Sequence, residues 1–185
     1  MSDPASEFLA TPAILHRLET EREALIARLE EVPSAAMNSR PSPARWSIAE
    51  VLEHLVRLET GLTKLLTLRG QQPPPPDTPA PADSSLMSPA LARLVRDRSK
   101  RIEAPERVLP AGALMADEAL AHLQNARSGM LEAFGTANSD ALDQLTHPHP
   151  VFGPLTLRSW VALAADHEAR HADQISEIAE QLRNN

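Results

Sequence analysis

The sequence predicts an all-α protein, a four-helix bundle, and three observations carry that prediction. Aromatic residues make up only 3 % of the chain and Tyr is absent, while Leu and Ala are abundant, a mixture that favours helices over a β-sandwich. Four long segments repeat their apolar residues at the helical period of about 100° per residue, with no credible strand between them. The connections one–two and three–four are short enough for antiparallel neighbours. A long Pro-rich path between two and three allows a crossover, so the bundle need not be simply up-down. At 185 residues the chain fits a single domain over 1–185.

The first helix is expected from about Ser6 to Glu31, where Val32-Pro33 ends it because a residue before proline avoids the α region. Ile14, Leu18, Leu25 and Leu29 share its apolar face, and His16 points roughly 160° away. A turn-rich connection, Pro33 to Arg45, follows. Ser47 and Glu50 then form a capping box, with Trp46 placed to staple onto Val51. Helix two runs to about Leu68 on a stripe of Ile48, Val51, Leu52, Leu55, Leu58, Leu62, Leu65 and Leu66. His54 lies roughly 70° from the centre of that stripe, on a flank able to look along the bundle interior.

Gln71 to Pro89, QQPPPPDTPAPADSSLMSP, is too rich in proline for helix or central strand and reads as a solvated crossover. A short helix, roughly Pro89 to Ile102, carries Leu91, Leu94 and Val95, and its charged end from Arg96 to Arg101 reads as a solvated face. The third long helix spans about Ala116 to Ala137, with Leu120, Leu123, Arg127, Met130, Leu131 and Phe134 on one face and His122 opposite. Thr146 to Pro154 is expected to be a proline-pinned loop bearing His147 and His149. The last helix, Leu157 to Leu182, has a stripe of Trp160, Leu163, His167, His171, Ile175, Ile178 and Leu182.

Composition bounds the function. The formal charge of −7 argues against nucleic-acid binding, which needs a basic face. No stretch approaches the ~18 apolar residues of a membrane span, and the early acidic residue and short apolar runs of the N-terminus do not fit a signal peptide. A cytoplasmic location is the plain expectation. With no Cys, any metal site must use His, carboxylate and water.

The last helix concentrates the chemistry. His167 and His171 stack one turn apart on its buried stripe, and buried imidazoles left unsatisfied cost about 1–3 kcal/mol per group. A metal ion is their most economical partner. His167-Glu168-Ala169-Arg170-His171 matches H-E-x-x-H, in which the glutamate would serve a zinc protease as general base. The third ligand of a zincin is missing, however: no His follows, Gly is absent from 172–185, and no sheet precedes the motif. The protease reading therefore ranks last, and Glu168 is left as a weak catalytic candidate. The pair itself survives, because i, i+4 chelation depends only on helix geometry. A third ligand must come from upstream: His54 has the right phase, His16 and His122 point away, and His147 and His149 need a loop to fold in. Three imidazoles leave positions open, the pattern of a catalytic site. Zn²⁺ fits, Ni²⁺ and Fe²⁺ are compatible by ligand type, and Gln174 is placed to support His171 from behind.

Three pieces of the chain, in order, resemble the DinB-like superfamily. Trp46-Ser47 through His54-Leu55 resembles the second-helix motif whose histidine supplies the first ligand. His147-Pro148 through Thr156, followed by Trp160 and His167-x-x-x-His171-x-x-Gln174-Ile175, is similar to the C-terminal signature. Lys100 to Pro110 resembles the branch related to metal-dependent hydrolases and thiol S-transferases. The resemblance implies a four-helix bundle, often a homodimer, with a divalent metal on His54, His167 and His171. It also implies thiol-transfer or hydrolytic chemistry, in which the metal activates a low-molecular-weight thiol or water towards a small-molecule substrate. The rival expectation is a non-catalytic bundle whose metal is structural; a third makes the Pro-rich segment a docking element.

Overall fold

The structure is a computed structural model that describes residues 7–184. Helix α1 (Thr11–Glu30) starts with Pro12 in its first turn, where a missing N–H costs nothing. The expected start at Ser6 lies outside the described residues, and a turn at residues 9–10 precedes Thr11. A single turn, α2 (Ser34–Met37), interrupts the connection to α3 (Ile48–Arg69). The capping box is present in full: the Ser47 side chain accepts from the Glu50 N–H, and the Glu50 carboxylate accepts from the Ser47 N–H. Helix α4 (Pro89–Arg96) ends six residues before the expected Ile102. It buries Ala92 and Val95, while Leu94 is 38 % exposed. Helix α5 (Ala116–Thr136) and the short α6 (Ser139–Gln144) lead to a hairpin, β1 (Thr146–His149) and β2 (Gly153–Thr156), and then to α7 (Leu157–Arg183).

The hairpin corrects the expectation of a strandless chain. Thr146 pairs with Thr156 and His149 with Gly153, and Gly153 supplies the positive φ of +75° that the turn needs. The His149 Nδ1 accepts the Val151 and Phe152 N–H groups at 3.1 and 3.2 Å, so a side chain satisfies turn donors that a two-stranded ribbon leaves free.

The bundle is not up-down. Asn138 N–H donates to the Gly70 carbonyl at 2.8 Å, which brings the C-terminal ends of α3 and α5 together, so these two helices run parallel. Helices α1 and α7 are also parallel, since Arg17 donates to the Ala162 carbonyl and Arg28 pairs with Asp173 further along both. A parallel α3–α5 pair obliges the chain to return some 33 Å along the bundle, and the Pro-rich segment is that return path. Its far end is not solvated: Ser85 and Met87 are buried, and the Met87 N–H donates to Ser159 Oγ at 2.8 Å. The charges from Arg96 onward form a free face only in part: Arg96 is bound to Asp166 and Glu21 and Arg98 to Glu177, while Lys100 and Arg101 are exposed.

The apolar core forms two clusters, one around Leu18, Leu62, Met130 and Ala165, the other around Leu25, Leu55, Leu123 and Ala172. Between them lies one charged residue from each long helix. Glu59 is held by Arg22 at 3.0 Å and Arg127 at 2.6 Å, and Glu168 is held by the same two arginines. Arg127 also donates to the Leu18 carbonyl at 2.7 Å.

Candidate metal centre

His54 sits two turns into α3 and His167 and His171 a turn apart in α7, with α3 and α7 antiparallel across the bundle. The three Nε2 atoms converge: His54 and His171 lie 3.3 and 3.2 Å from the Nε2 of His167. The partners on the far side of two rings fix their tautomers. His54 Nδ1 is 2.7 Å from the Val108 carbonyl, and His171 Nδ1 is 2.8 Å from Gln174 Oε1. An oxygen acceptor requires N–H at Nδ1, so the Nε2 of both rings carries a lone pair aimed at the third ring. His167 has one Nε2 proton at most and so serves at most one of them. In a site this buried, that donor set fits a cation rather than an internal hydrogen-bond network.

The electrostatics agree with neutral ligands. Burial, and then the neighbouring imidazoles and Arg170, push His167 well below its ordinary value; burial and the other two rings do the same to His171. Burial lowers His54 against an opposing contribution from its Val108 bond. These lowered values make the metal-free protein sensitive to acid. As pH falls from 6.5, the unfolded chain takes up protons that the native imidazoles refuse, so stability is lost with acid. Each histidine gives a limiting slope of about 1.4 kcal/mol per pH unit. Thermal melts at pH 7, 6 and 5 should show a falling Tm, and His171→Asn should flatten the profile.

The centre opens on a cleft of about 1230 Å³. The Trp46 ring lies 5.3 Å from that of His54, and the hairpin forms part of the wall. His149 stacks on Phe152 and tilts against Trp160, with centroids 4.7 and 4.8 Å away. Burial and then Arg107 lower it to about 4. His147 and His149 thus reach the cleft but are not among the converging histidines, whereas His16 and His122 are exposed on the outside. Glu168 is directed away: its two oxygens are occupied by Arg22 and Arg127, and it does not line the cleft. This places the H-E-x-x-H glutamate in the core, not at the site.

Two supporting groups were invisible in the sequence. The Val108 carbonyl belongs to a 3-10 turn, Glu106–Val108, whose backbone no periodicity reveals. That turn is anchored beside His54 by its neighbour Glu53, which accepts the N–H groups of Ala111 and Gly112, each at 2.9 Å, and also binds Arg57. Burial would raise the Glu53 pKa, but these donors outweigh it and lower the value.

A sequence model of the DinB superfamily matches residues 17–175, a span that includes all three converging histidines. The chain belongs to the DinB superfamily. This DinB-superfamily chain is 28 % identical over 166 residues to uncharacterized protein YuaE of Bacillus subtilis (strain 168), covering 90 % of the chain and 94 % of that relative. Its fold is similar to that in the crystal structure of TT2238, a four-helix bundle protein, with a TM-score of 0.57 and 27 % identity over 89 % of this chain and 96 % of the other. The DinB superfamily is generally metal-binding. Among the described residues no helix is long and apolar enough to cross a membrane.

Proposed function

We propose that this protein is a divalent-metal-dependent enzyme of the thiol-transfer type, with His54, His167 and His171 as ligands and Zn²⁺ or Ni²⁺ as the metal. One observation carries the reading: the converging histidines open on a cleft of about 1230 Å³, whereas a structural site closes its coordination with protein side chains. A bound divalent ion would supply Lewis acidity, lowering the pKa of a thiol or water presented to it. The chain's own residues hold and orient the ligands. Val108 and Gln174 fix the donor faces of His54 and His171, and the Trp46 ring lies tilted against that of His54. The cleft has room for a second small molecule beside the thiol, which favours transfer over simple hydrolysis.

The test is to incubate the metal-loaded protein with a panel of low-molecular-weight thiols and monochlorobimane, reading conjugate fluorescence against metal-free protein. Metal-dependent conjugation supports the proposal. Stoichiometric metal with no conjugation, together with a large loss of Tm on chelation, would instead support a structural ion. The loop anchor makes a separate prediction. Glu53→Ala should free residues 111–113, loosen the Val108–His54 bond and weaken metal binding by about 10- to 100-fold, the usual effect of losing support behind a ligand. A competition titration with a chromogenic chelator measures this.

A further inference from the structure

The walls of the cleft carry a charge opposite to that of the protein. Over the whole chain Asp and Glu outnumber Lys and Arg by 25 to 18, yet along the cleft Lys and Arg outnumber Glu by seven to two, with no Asp. Some of these cations are matched: Arg57 is bound to Glu53 and Arg98 to Glu177. Others are not. Lys64, Arg101 and Arg107 line the cleft as exposed side chains with no salt bridge or hydrogen bond among the described residues. Arg170, directly preceding His171, is buried and among the described residues donates only to backbone carbonyls, those of Val95, Asp97 and Lys100. Among the described residues no carboxylate makes a salt bridge with it, although Asp97 and Glu177 act on its charge from further away.

The hairpin adds a neutral donor. Because the His149 Nδ1 accepts two backbone N–H groups, its proton is on Nε2, the edge of the ring left free for a ligand. Arg107 lines the cleft together with both hairpin histidines, His147 and His149.

We propose that the cleft recognises an anionic small molecule, carboxylate- or phosphate-bearing, whose charged end is held by the exposed Arg101 and Arg107 of its wall while its other end reaches the histidine centre. A concave wall with an excess of one charge sign focuses its field and raises the local concentration of such a ligand. A solvated surface chosen only for solubility has no reason to gather cations in the cleft of an acidic protein. The inference rests on the proposed function only for what the far end of the ligand does; anion recognition itself needs no metal chemistry.

The experiment is calorimetric titration of the full-length, metal-loaded protein at low and at 0.5 M salt with four probes. Glutathione carries carboxylates, coenzyme A carries phosphates, 2-mercaptoethanol is an uncharged thiol, and S-methylglutathione keeps the carboxylates without a free thiol. At low salt, glutathione or coenzyme A should bind at least about tenfold more tightly than 2-mercaptoethanol, and the stronger of the two identifies the anion. Arg101→Ala and Arg107→Ala should each weaken it by about fivefold, the size of an exposed ion pair, and high salt should shrink the preference. Arg93→Ala, exposed outside the cleft, is the control. Equal binding of charged and uncharged thiols, or a preference untouched by both arginine substitutions, overturns the proposal. If S-methylglutathione binds as tightly as glutathione with the arginine dependence intact, the anion site stands and the thiol–metal reading fails.

Discussion

Replacing Arg127 with methionine is expected to lower the melting temperature by on the order of 10 °C. Arg127 binds both Glu59 and Glu168 in the middle of the bundle, where both carboxylates are almost fully buried. Removing one partner from a buried ion cluster costs about 3–5 kcal/mol, because the charges left behind are desolvated and uncompensated. In a domain of this size each kcal/mol shifts Tm by roughly 2–4 °C. Burial already raises the Glu59 pKa despite Arg127 and Arg22, so the variant should also take up a proton there on folding. Arg127→Lys should recover only part of the loss: an ammonium supplies the charge but not the fork that reaches Glu59, Glu168 and the Leu18 carbonyl together. Converting all four residues, Arg22, Glu59, Arg127 and Glu168, to apolar residues of similar volume should restore most of the stability. Melting curves of the three variants decide whether the cluster matters through unpaired charge or through irreplaceable contacts.

His171→Ala is expected to weaken divalent-metal binding by at least about 100-fold. Structural zinc sites with four ligands bind with about 10–16 kcal/mol, which apportions to roughly 3 kcal/mol per ligand. His54→Ala should do the same from the other helix, and His16→Ala, on the exposed side of α1, should do nothing. Metal content after reconstitution and dialysis measures all three. Unchanged stoichiometry in both His54→Ala and His171→Ala would show that these rings do not hold the ion. The metal-free wild type should remain folded, since the two core clusters and the central ion cluster do not depend on the centre.

The central cluster also shows how far the sequence could be read. Arg22 falls between Leu18 and Leu25, Glu59 between Leu55 and Leu62, and Arg127 between Leu123 and Met130, each on the apolar stripe of its helix. Charged residues on buried stripes require partners, so the signal was present in the periodicity. Which arginine meets which glutamate was not, because pairing depends on helices that sequence order does not place. The same holds for His149: its imidazole caps a hairpin turn, and the segment THPHPVFGP has neither the length nor the alternation that marks strands.

Whatever repeats along a single helix can be read from the residues alone. The four long helices, the Ser47–Glu50 capping box, the stacked pair His167 and His171, the phase of His54 and the outward direction of His16 and His122 all follow from the 100° rotation per residue and local hydrogen bonding. What lies between helices is set by packing. Packing made α3 and α5 parallel, sent the H-E-x-x-H glutamate to two arginines in the core, brought the Val108 carbonyl behind His54, and gathered Arg101, Arg107 and His149 around one cleft. Periodicity fixes the direction in which a side chain leaves its own helix. What it meets there depends on contacts between residues far apart in the chain, 146 positions in the case of Arg22 and Glu168, and these exist only once the chain has packed.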